Sequence, residues 1–285
     1  MEKTKKRCGG RGREPLIVLL LLALVTALLV PAAAMHLAVK KKEADEREEQ
    51  REIRQAEKKN DSGSSSESAA KKSAKKKMEK KKAVTDPAPV AAAKVDAAYF
   101  ADAVFIGDSR TQGLQLYSGL TTPHYLCAKG ATVASIYTDS RVKTASGTVP
   151  VMTALRHLSF SKVYIMLGVN ELGWVYPKTF TDQYAKVIKD IHTIAPNAKI
   201  VLQSVLPVSA TQEAKHGYVN NERIADYNTR IQKLASDNSC TYLNVAEAVT
   251  ASDGCLAGSL TGDGLHLNRT GCKRWLQYLE ANPLS

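Results

Sequence analysis

The chain has 285 residues, of which 44% are hydrophobic and 24% charged, and its formal net charge is +12. The positive excess lies in residues 1–95, which hold 23 of the 40 basic and 13 of the 28 acidic residues. Residues 96–285 are therefore nearly neutral and show no cluster of Lys and Arg, so we expect no nucleic-acid partner. The histidines show no metal-ligand spacing, so we expect neither a metal nor a cofactor.

The first element is an uncharged stretch over residues 16–39, preceded by a basic segment, residues 1–15. About 20 apolar residues span a bilayer, and a basic flank stays cytoplasmic. We predict a cytoplasmic tail (1–15) and a transmembrane signal anchor (16–39) in a single-pass protein of the cell membrane. The alternative is a cleaved signal peptide, with an apolar region at 16–30 and small residues at 31–34, which would give a secreted protein. The anchor is favoured because the apolar stretch continues to residue 39, and either interpretation exports the rest.

A charged linker is predicted for residues 40–95, because this segment has hardly any large apolar residues with which to build a core. Residues 71–82 include eight lysines. The simplest interpretation of the lysines is a soluble tether. The alternative is attraction to anionic wall polymer or lipid headgroups.

Apolar runs and helical periodicity alternate along residues 96–285, which we predict to form one folded domain. The predicted strands are 103–107, 124–129, 162–167, 199–206 and 240–245, and the predicted helices are 110–118, 149–158, 179–194 and 221–235. Such alternation favours a three-layer α/β/α fold, with a central parallel sheet of about five strands covered by helices on both faces.

Gly107, Asp108 and Ser109 directly follow the first of these strands, so Ser109 is expected at the carboxyl end of a strand, where open α/β sheets bind ligands. A serine hydroxyl needs a base, and the base needs a group that fixes its tautomer. Asp263 and His266 are three residues apart, so the carboxylate can accept from Nδ1 and leave Nε2 facing Ser109. We predict these three as the catalytic residues.

An oxyanion formed at Ser109 also needs hydrogen-bond donors. The candidates are the backbone amides of Ser109 and Gly130 and the side chain of Asn170, each of which follows its own predicted strand. Three loops are thus expected to meet over one serine.

These motifs resemble the four blocks of the SGNH (GDSL-type) hydrolase superfamily, here Ser109, Gly130, Asn170 and His266, over residues 99–285. The resemblance implies a flavodoxin-like α/β fold and esterase activity, so we predict that residues 96–285 form an SGNH hydrolase domain. Gly130 is matched only by its position between the first and third blocks. Arg110 and Glu171 depart from the usual pattern, and both could alter the acyl pocket.

We therefore expect an extracytoplasmic serine esterase that hydrolyses short-chain acyl esters, such as O-acetyl groups on cell-wall polysaccharide, through an acyl-enzyme. The alternatives are an O-acyltransferase to wall sugars and a catalytically silent carbohydrate-binding module. The expected partners are the acyl-ester substrate and the membrane, through the N-terminal segment. The oligomeric state is left open.

Four cysteines, an even number, lie in the exported part, which permits disulfides. Cys255 and Cys272 bracket the Asp263 to His266 loop. The sequence leaves open whether these two are bridged or are free thiols.

Overall fold

The computed structural model describes residues 84–145 and 147–284. The predicted tail (1–15), the predicted signal anchor (16–39) and linker residues 40–83 lie outside this part and stay predictions. Within the described residues, no helix is both long and apolar enough to cross a membrane.

The strands of the described chain form one five-stranded parallel sheet and one antiparallel hairpin. The sheet consists of β1 (Ala103–Gly107), β2 (His124–Cys127), β5 (Lys162–Met166), β6 (Lys199–Gln203) and β7 (Thr241–Leu243), and the hairpin of β3 (Val142–Thr144) and β4 (Gly147–Val149). The order in the sheet is β2-β1-β5-β6-β7. The hairpin was not predicted. Several sheet strands end earlier than predicted, because the residues beyond them turn away into loops at the carboxyl edge.

Helices cover both faces of this sheet. They are α1 (Ser109–Tyr117), α2 (Val151–Leu155), α3 (Pro177–Ile194), α4 (Ala210–Glu213), α5 (Asn221–Asp237) and α6 (Arg269–Ala281). Val104 and Ile106 of β1 pack in one core cluster with residues of α2, α3 and α5. Ala103 and Phe105 pack in a second cluster with residues of α1 and α6. Both faces of the sheet are thus buried, which explains the continuous apolar runs and confirms the predicted three-layer fold.

Helix α6 was not predicted, although its signals are present in the sequence. Asn268 caps it by accepting a hydrogen bond from the amide of Gly271, which is a common way for a helix to begin. Cys272, Trp275 and Leu279 follow at helical spacing, and all three are buried. The helix packs on the same face of the sheet as α1.

The predicted boundary at 96 assigns residues 84–95 to the linker, but these residues run along the surface of the folded domain. The amide of Thr85 donates to Oγ of Ser252 (2.9 Å), and that of Lys94 donates to the carbonyl of Glu280 (2.9 Å). Contacts between this segment and the domain therefore begin well before residue 96.

Cys127, Cys240, Cys255 and Cys272 are free thiols in the structure. Cys272 is fully buried in the core beside α1, and Cys255 Sγ lies 3.5 Å from Nδ2 of Asn221. The structure therefore has Cys255 and Cys272 as separate thiols, not as a bridge.

Candidate active site

A sharp turn carries the chain from β1 into α1 and places Ser109 at the first position of the helix. Only glycine fits at position 107, because a Cβ there would lie 2.0 Å from Oγ1 of Thr111 and 2.8 Å from the carbonyl of Met166. Asp108 is buried and caps the helix, since its Oδ1 accepts from the amide of Arg110 at 2.8 Å. Asp108 thus braces the turn that presents Ser109.

Ser109 lies near the start of the domain's sequence, and Asp263 and His266 lie near its end. The structure brings these three side chains together. Oγ of Ser109 lies 2.9 Å from Nε2 of His266, and Nδ1 of His266 lies 2.6 Å from Oδ2 of Asp263. Both distances are within hydrogen-bond reach. The arrangement can move a proton from the hydroxyl to the imidazole, while the carboxylate holds the ring.

Backbone amides hold the carboxylate of Asp263. Its Oδ1 accepts from the amides of Leu265 (2.8 Å) and His266 (2.7 Å). Partial burial alone would raise the pKa of Asp263, but these bonds and the contact with the His266 ring outweigh it and lower the pKa to about 2. Asp263 is therefore ionised at neutral pH, as an acceptor for Nδ1 must be.

The loop that carries Asp263 and His266 is fixed at two further points. Thr261 Oγ1 accepts from the amide of Gly264 and donates to the carbonyl of His266. Gly264 has a φ of +81°, which favours glycine, and its carbonyl accepts from the amide of Ser209. The segment that begins at Ser209 therefore lies against this loop.

The two other predicted oxyanion residues lie on loops that contact each other. Gly130 has a φ of +73° in the turn after β2, and the amide of Ala128 in this turn donates to the carbonyl of Gly107. Nδ2 of Asn170 donates to the carbonyl of Ala131 at 2.9 Å. The side-chain amide nitrogen of asparagine carries two hydrogens, so the second hydrogen of Asn170 remains for another acceptor. The turn of Gly130 thus meets the end of the strand that leads into Ser109, and Asn170 is bonded to the same turn.

A family model described as GDSL-like Lipase/Acylhydrolase matches residues 105–274, which is more than half of the chain. The chain belongs to this family. It is therefore an acylhydrolase, in agreement with the resemblance of its motifs to SGNH hydrolases.

Solved structures similar to this acylhydrolase include a Streptococcus pneumonia protein provisionally named a platelet activating factor. It is 24% identical, covers 63% of this chain and 82% of its own, and has a TM-score of 0.52. A GDSL-like lipase from Bacteroides thetaiotaomicron is 19% identical, with 66% and 88% covered and a TM-score of 0.47. Est24, a carbohydrate acetylesterase from Sinorhizobium meliloti, is 16% identical, with 62% and 96% covered and a TM-score of 0.44. No curated protein sequence matches the chain. The first of these similarities supports the shared fold.

The two departures from the family pattern are buried beneath the site. Arg110 is 3% exposed and donates from Nη1 to the carbonyl of Leu206, while Glu171 is fully buried. Burial lowers the pKa of Arg110 to about 10, although the nearby carboxylates of Asp108 and Asp263 oppose the shift. The expectation that these side chains alter an acyl pocket finds no support in their positions. One signal in the sequence indicates that these two residues have a structural role: each ionisable residue stands directly beside a motif residue.

Within the described residues, no group of three or more His, Cys, Asp or Glu side chains is placed to hold a metal ion.

Asn170→Ala is expected to lower kcat by about 100- to 1000-fold, the usual loss of one oxyanion donor. KM should change little, because a donor aimed at the developing oxyanion stabilises the transition state more than the ground state. Steady-state hydrolysis of p-nitrophenyl acetate measures both constants. If KM rises many-fold while kcat holds, Asn170 binds substrate instead.

Asn238→Ala is the matched control for this substitution. Nδ2 of Asn238 also donates to a carbonyl, that of Leu234, at 2.8 Å. It lies at the end of α5 just before β7, at the opposite edge of the sheet from Ser109. Its loss should leave kcat unchanged.

Proposed function

We propose that this acylhydrolase is an extracytoplasmic serine esterase that removes short acyl groups, such as O-acetyl, from cell-wall carbohydrate. The observation that carries the proposal is the hydrogen-bonded chain from Ser109 Oγ through the His266 ring to Asp263, at 2.9 and 2.6 Å. A silent binding module needs no such chain.

In the first half-reaction, Ser109 Oγ attacks the ester carbonyl and Nε2 of His266 takes the hydroxyl proton. Asp263 stabilises the resulting imidazolium. The amides of Ser109 and Gly130 and the side chain of Asn170 donate to the tetrahedral oxyanion. The intermediate collapses, the alcohol leaves with the proton from His266, and the acyl group stays on Ser109.

In the second half-reaction, water attacks the acyl-enzyme while His266 again acts as the base. The same donors stabilise the second oxyanion. Its collapse releases the carboxylic acid, and His266 returns the proton to Ser109 Oγ.

The exposure of the site supports a large alcohol group. The side chains of His266 and Asp263 are 40% and 55% exposed, so the reacting groups lie close to the surface. An acetyl group on a polymer can reach such a site without the polymer entering a deep channel.

Residues 209–218 form a rim on one side of the site, and Tyr218 in this rim is 58% exposed. The ring of Tyr218 packs on Gly173, where a Cβ would lie 3.2 Å from its Cδ2, and Gly173 follows Asn170 closely in the chain. Because Ser209 contacts the loop of His266, residues 209–218 connect that loop with the loop of Asn170. This rim supports a sugar polymer as the alcohol, since amphipathic rings present an apolar face and a polar hydroxyl.

Replacing Tyr218 by alanine is expected to raise KM for acetylated polysaccharide by about 2- to 10-fold, the effect of one aromatic contact of about 0.5–1.5 kcal/mol. The kinetic constants for p-nitrophenyl acetate should not change, because this small ester does not reach the rim. Tyr117→Ala is the control, since Tyr117 is exposed at the end of α1 remote from Ser109. Equal effects of Tyr218→Ala on both substrates would contradict a polymer-binding rim.

The experiment that tests the proposal is hydrolysis of p-nitrophenyl esters of graded chain length by the full-length protein, together with acetate release from acetylated wall polysaccharide. We expect acetyl esters to be the best substrates and Ser109→Ala to be inactive. A preference for long acyl chains would overturn the acyl specificity. Transfer of acetyl to added sugar in preference to water would indicate the acyltransferase.

The location is proposed from the uncharged stretch 16–39 and its basic flank. A reporter enzyme that is active only outside the cytoplasm, fused after residue 285, should be active. An inactive reporter would overturn the extracytoplasmic assignment without affecting the esterase mechanism.

A further inference from the structure

Glu171 is a fully buried carboxyl group that the catalytic scheme does not use. It directly follows Asn170 at the end of the short 3-10 helix Val169–Glu171. Its Oε1 accepts from the backbone amide of Val133 at 2.7 Å. This bond joins the Asn170 loop to the segment that follows Gly130.

The bond of Glu171 is one of two that join these segments. Nδ2 of Asn170 donates to the carbonyl of Ala131, and Oε1 of Glu171 accepts from the amide of Val133. Two neighbouring side chains thus hold one short segment at two points, which restricts its rotation as well as its distance. Gly130 lies directly before the first of these points.

Glu171 is itself anchored to α5. Its carbonyl accepts from the hydroxyl of Tyr227 at 2.7 Å. Nη1 of Arg223, also on α5, donates to the carbonyl of Leu172 at 2.6 Å. The carboxyl group is therefore a fixed support on which the Gly130 segment can be positioned.

The environment of the carboxyl group favours its neutral form. Burial raises the pKa of Glu171, the bond from Val133 opposes this, and the neighbouring carboxyl of Asp108 raises it further, to about 8. Among the described residues, the phenols of Tyr184 from α3 and Tyr227 from α5 also lie beside it, and Arg223 from α5 bonds the carbonyl of the next residue, Leu172. A neutral side chain suits this position because Asp108 and two buried phenols surround it.

We propose that Glu171 is a positioning residue, whose carboxyl group holds the Gly130 segment against the Asn170 loop and so places the two oxyanion donors over Ser109. The inference rests on the proposed function, because it acts through the proposed oxyanion donors. Ionisation of Glu171 places a charge in a buried site beside Asp108, so it disturbs both loops.

The pH dependence follows from the same protonation. The folded protein keeps a proton on Glu171 that an unfolded chain releases above about pH 4.5. The contribution of this group to stability therefore falls as the pH increases from about 4.5 to about 8, and it is constant above that. Glu171→Gln cannot ionise, so its thermal stability should lack this component.

The test compares two substitutions in the full-length protein. Glu171→Gln keeps an acceptor for the amide of Val133, and kcat for p-nitrophenyl acetate at pH 7 should stay close to the wild-type value. Glu171→Met has a similar length but no acceptor, and kcat should fall by about 10- to 100-fold with little change in KM, because small misplacements of catalytic groups cost this much. The same substitutions at Glu222, which is exposed in the first turn of α5, are the controls.

A double-mutant cycle separates positioning from general destabilisation. If Glu171 acts through Asn170, the loss caused by Glu171→Met should be smaller in the Asn170→Ala background than in the wild type. Equal losses in both backgrounds would overturn the proposal. So would a wild-type kcat for Glu171→Met.

If Glu171→Met does not fold, the proposal is tested by comparing the pH dependence of kcat for the wild type and for Glu171→Gln. The kcat of the wild type should fall above about pH 8, and that of Glu171→Gln should not. Identical alkaline limbs would overturn the proposal. Activity that survives Ser109→Ala would instead refute the proposed function, so the two failures are distinguishable.

Discussion

Replacing Ser109 by alanine is expected to lower kcat by about 10⁴- to 10⁶-fold, the scale of loss when a catalytic nucleophile is removed. The hydroxyl is the attacking group, and its described hydrogen bond is to Nε2 of His266. The side chain is small and partly exposed, so the fold should be retained. Steady-state kinetics with p-nitrophenyl acetate and thermal unfolding measure the two effects.

Ser118→Ala is the matched control, directly after the same helix. Ser118 lies at the far end of α1, where its Oγ accepts from the amide of Leu120 at 3.1 Å. This substitution removes an equally small hydroxyl and should leave turnover intact. A Ser109→Ala variant with most of the wild-type kcat would exclude Ser109 as the nucleophile.

The proposed mechanism also requires Ser109 and His266 to act as one unit. His266→Ala should lose nearly as much activity as Ser109→Ala, and the double variant should lose little more. Additive losses would mean that the two side chains serve separate steps.

The second large effect is expected for Asp263→Asn, which should lower kcat by about 10⁴-fold. An asparagine can still accept from the amides of Leu265 and His266, so the loop should keep its conformation. Its NH₂ group would face Nδ1 of His266, which then becomes an acceptor. The proton would move to Nε2, where the ring can no longer take the hydroxyl proton of Ser109.

Asp253→Asn is the control for this substitution. Oδ1 of Asp253 accepts from the amide of Cys255 at 3.0 Å, which is a backbone contact like that of Asp263 but without a histidine. It should leave kcat unchanged. If Asp263→Asn stays within tenfold of the wild type, the carboxylate does not set the tautomer of His266, and the imidazole must be oriented by another group.

Much of this protein could be predicted from local patterns. The buried runs of β1 and β5 and the periodicity of α3 and α5 are properties of short segments. They predicted the layers, because a strand buried on both faces and a helix with one apolar face can pack in few ways. The turn at Gly107 and Ser109 could be found in the same way, since the glycine follows directly on an apolar strand.

Other elements were missed although they are local. The cap at Asn268 and the spacing of Cys272, Trp275 and Leu279 are typical of a helix. No helix was predicted there, because the catalytic motif directly before these residues indicated a loop. The β3–β4 hairpin has short strands that are only partly buried, so it carries little apolar signal.

The sequence by itself determined the fold class and which residues can carry acyl chemistry, because the alternation of strands and helices and the order of the motifs are properties of consecutive residues. Only the tertiary structure decided the contacts between distant segments. Ser109 and His266 are 157 residues apart, and the carboxyl group of Glu171 bonds an amide 38 residues earlier. Arg110 and Glu171 illustrate the physical reason: whether an ionisable side chain lines a pocket or braces a loop depends on what packs around it, and that is set by the whole domain.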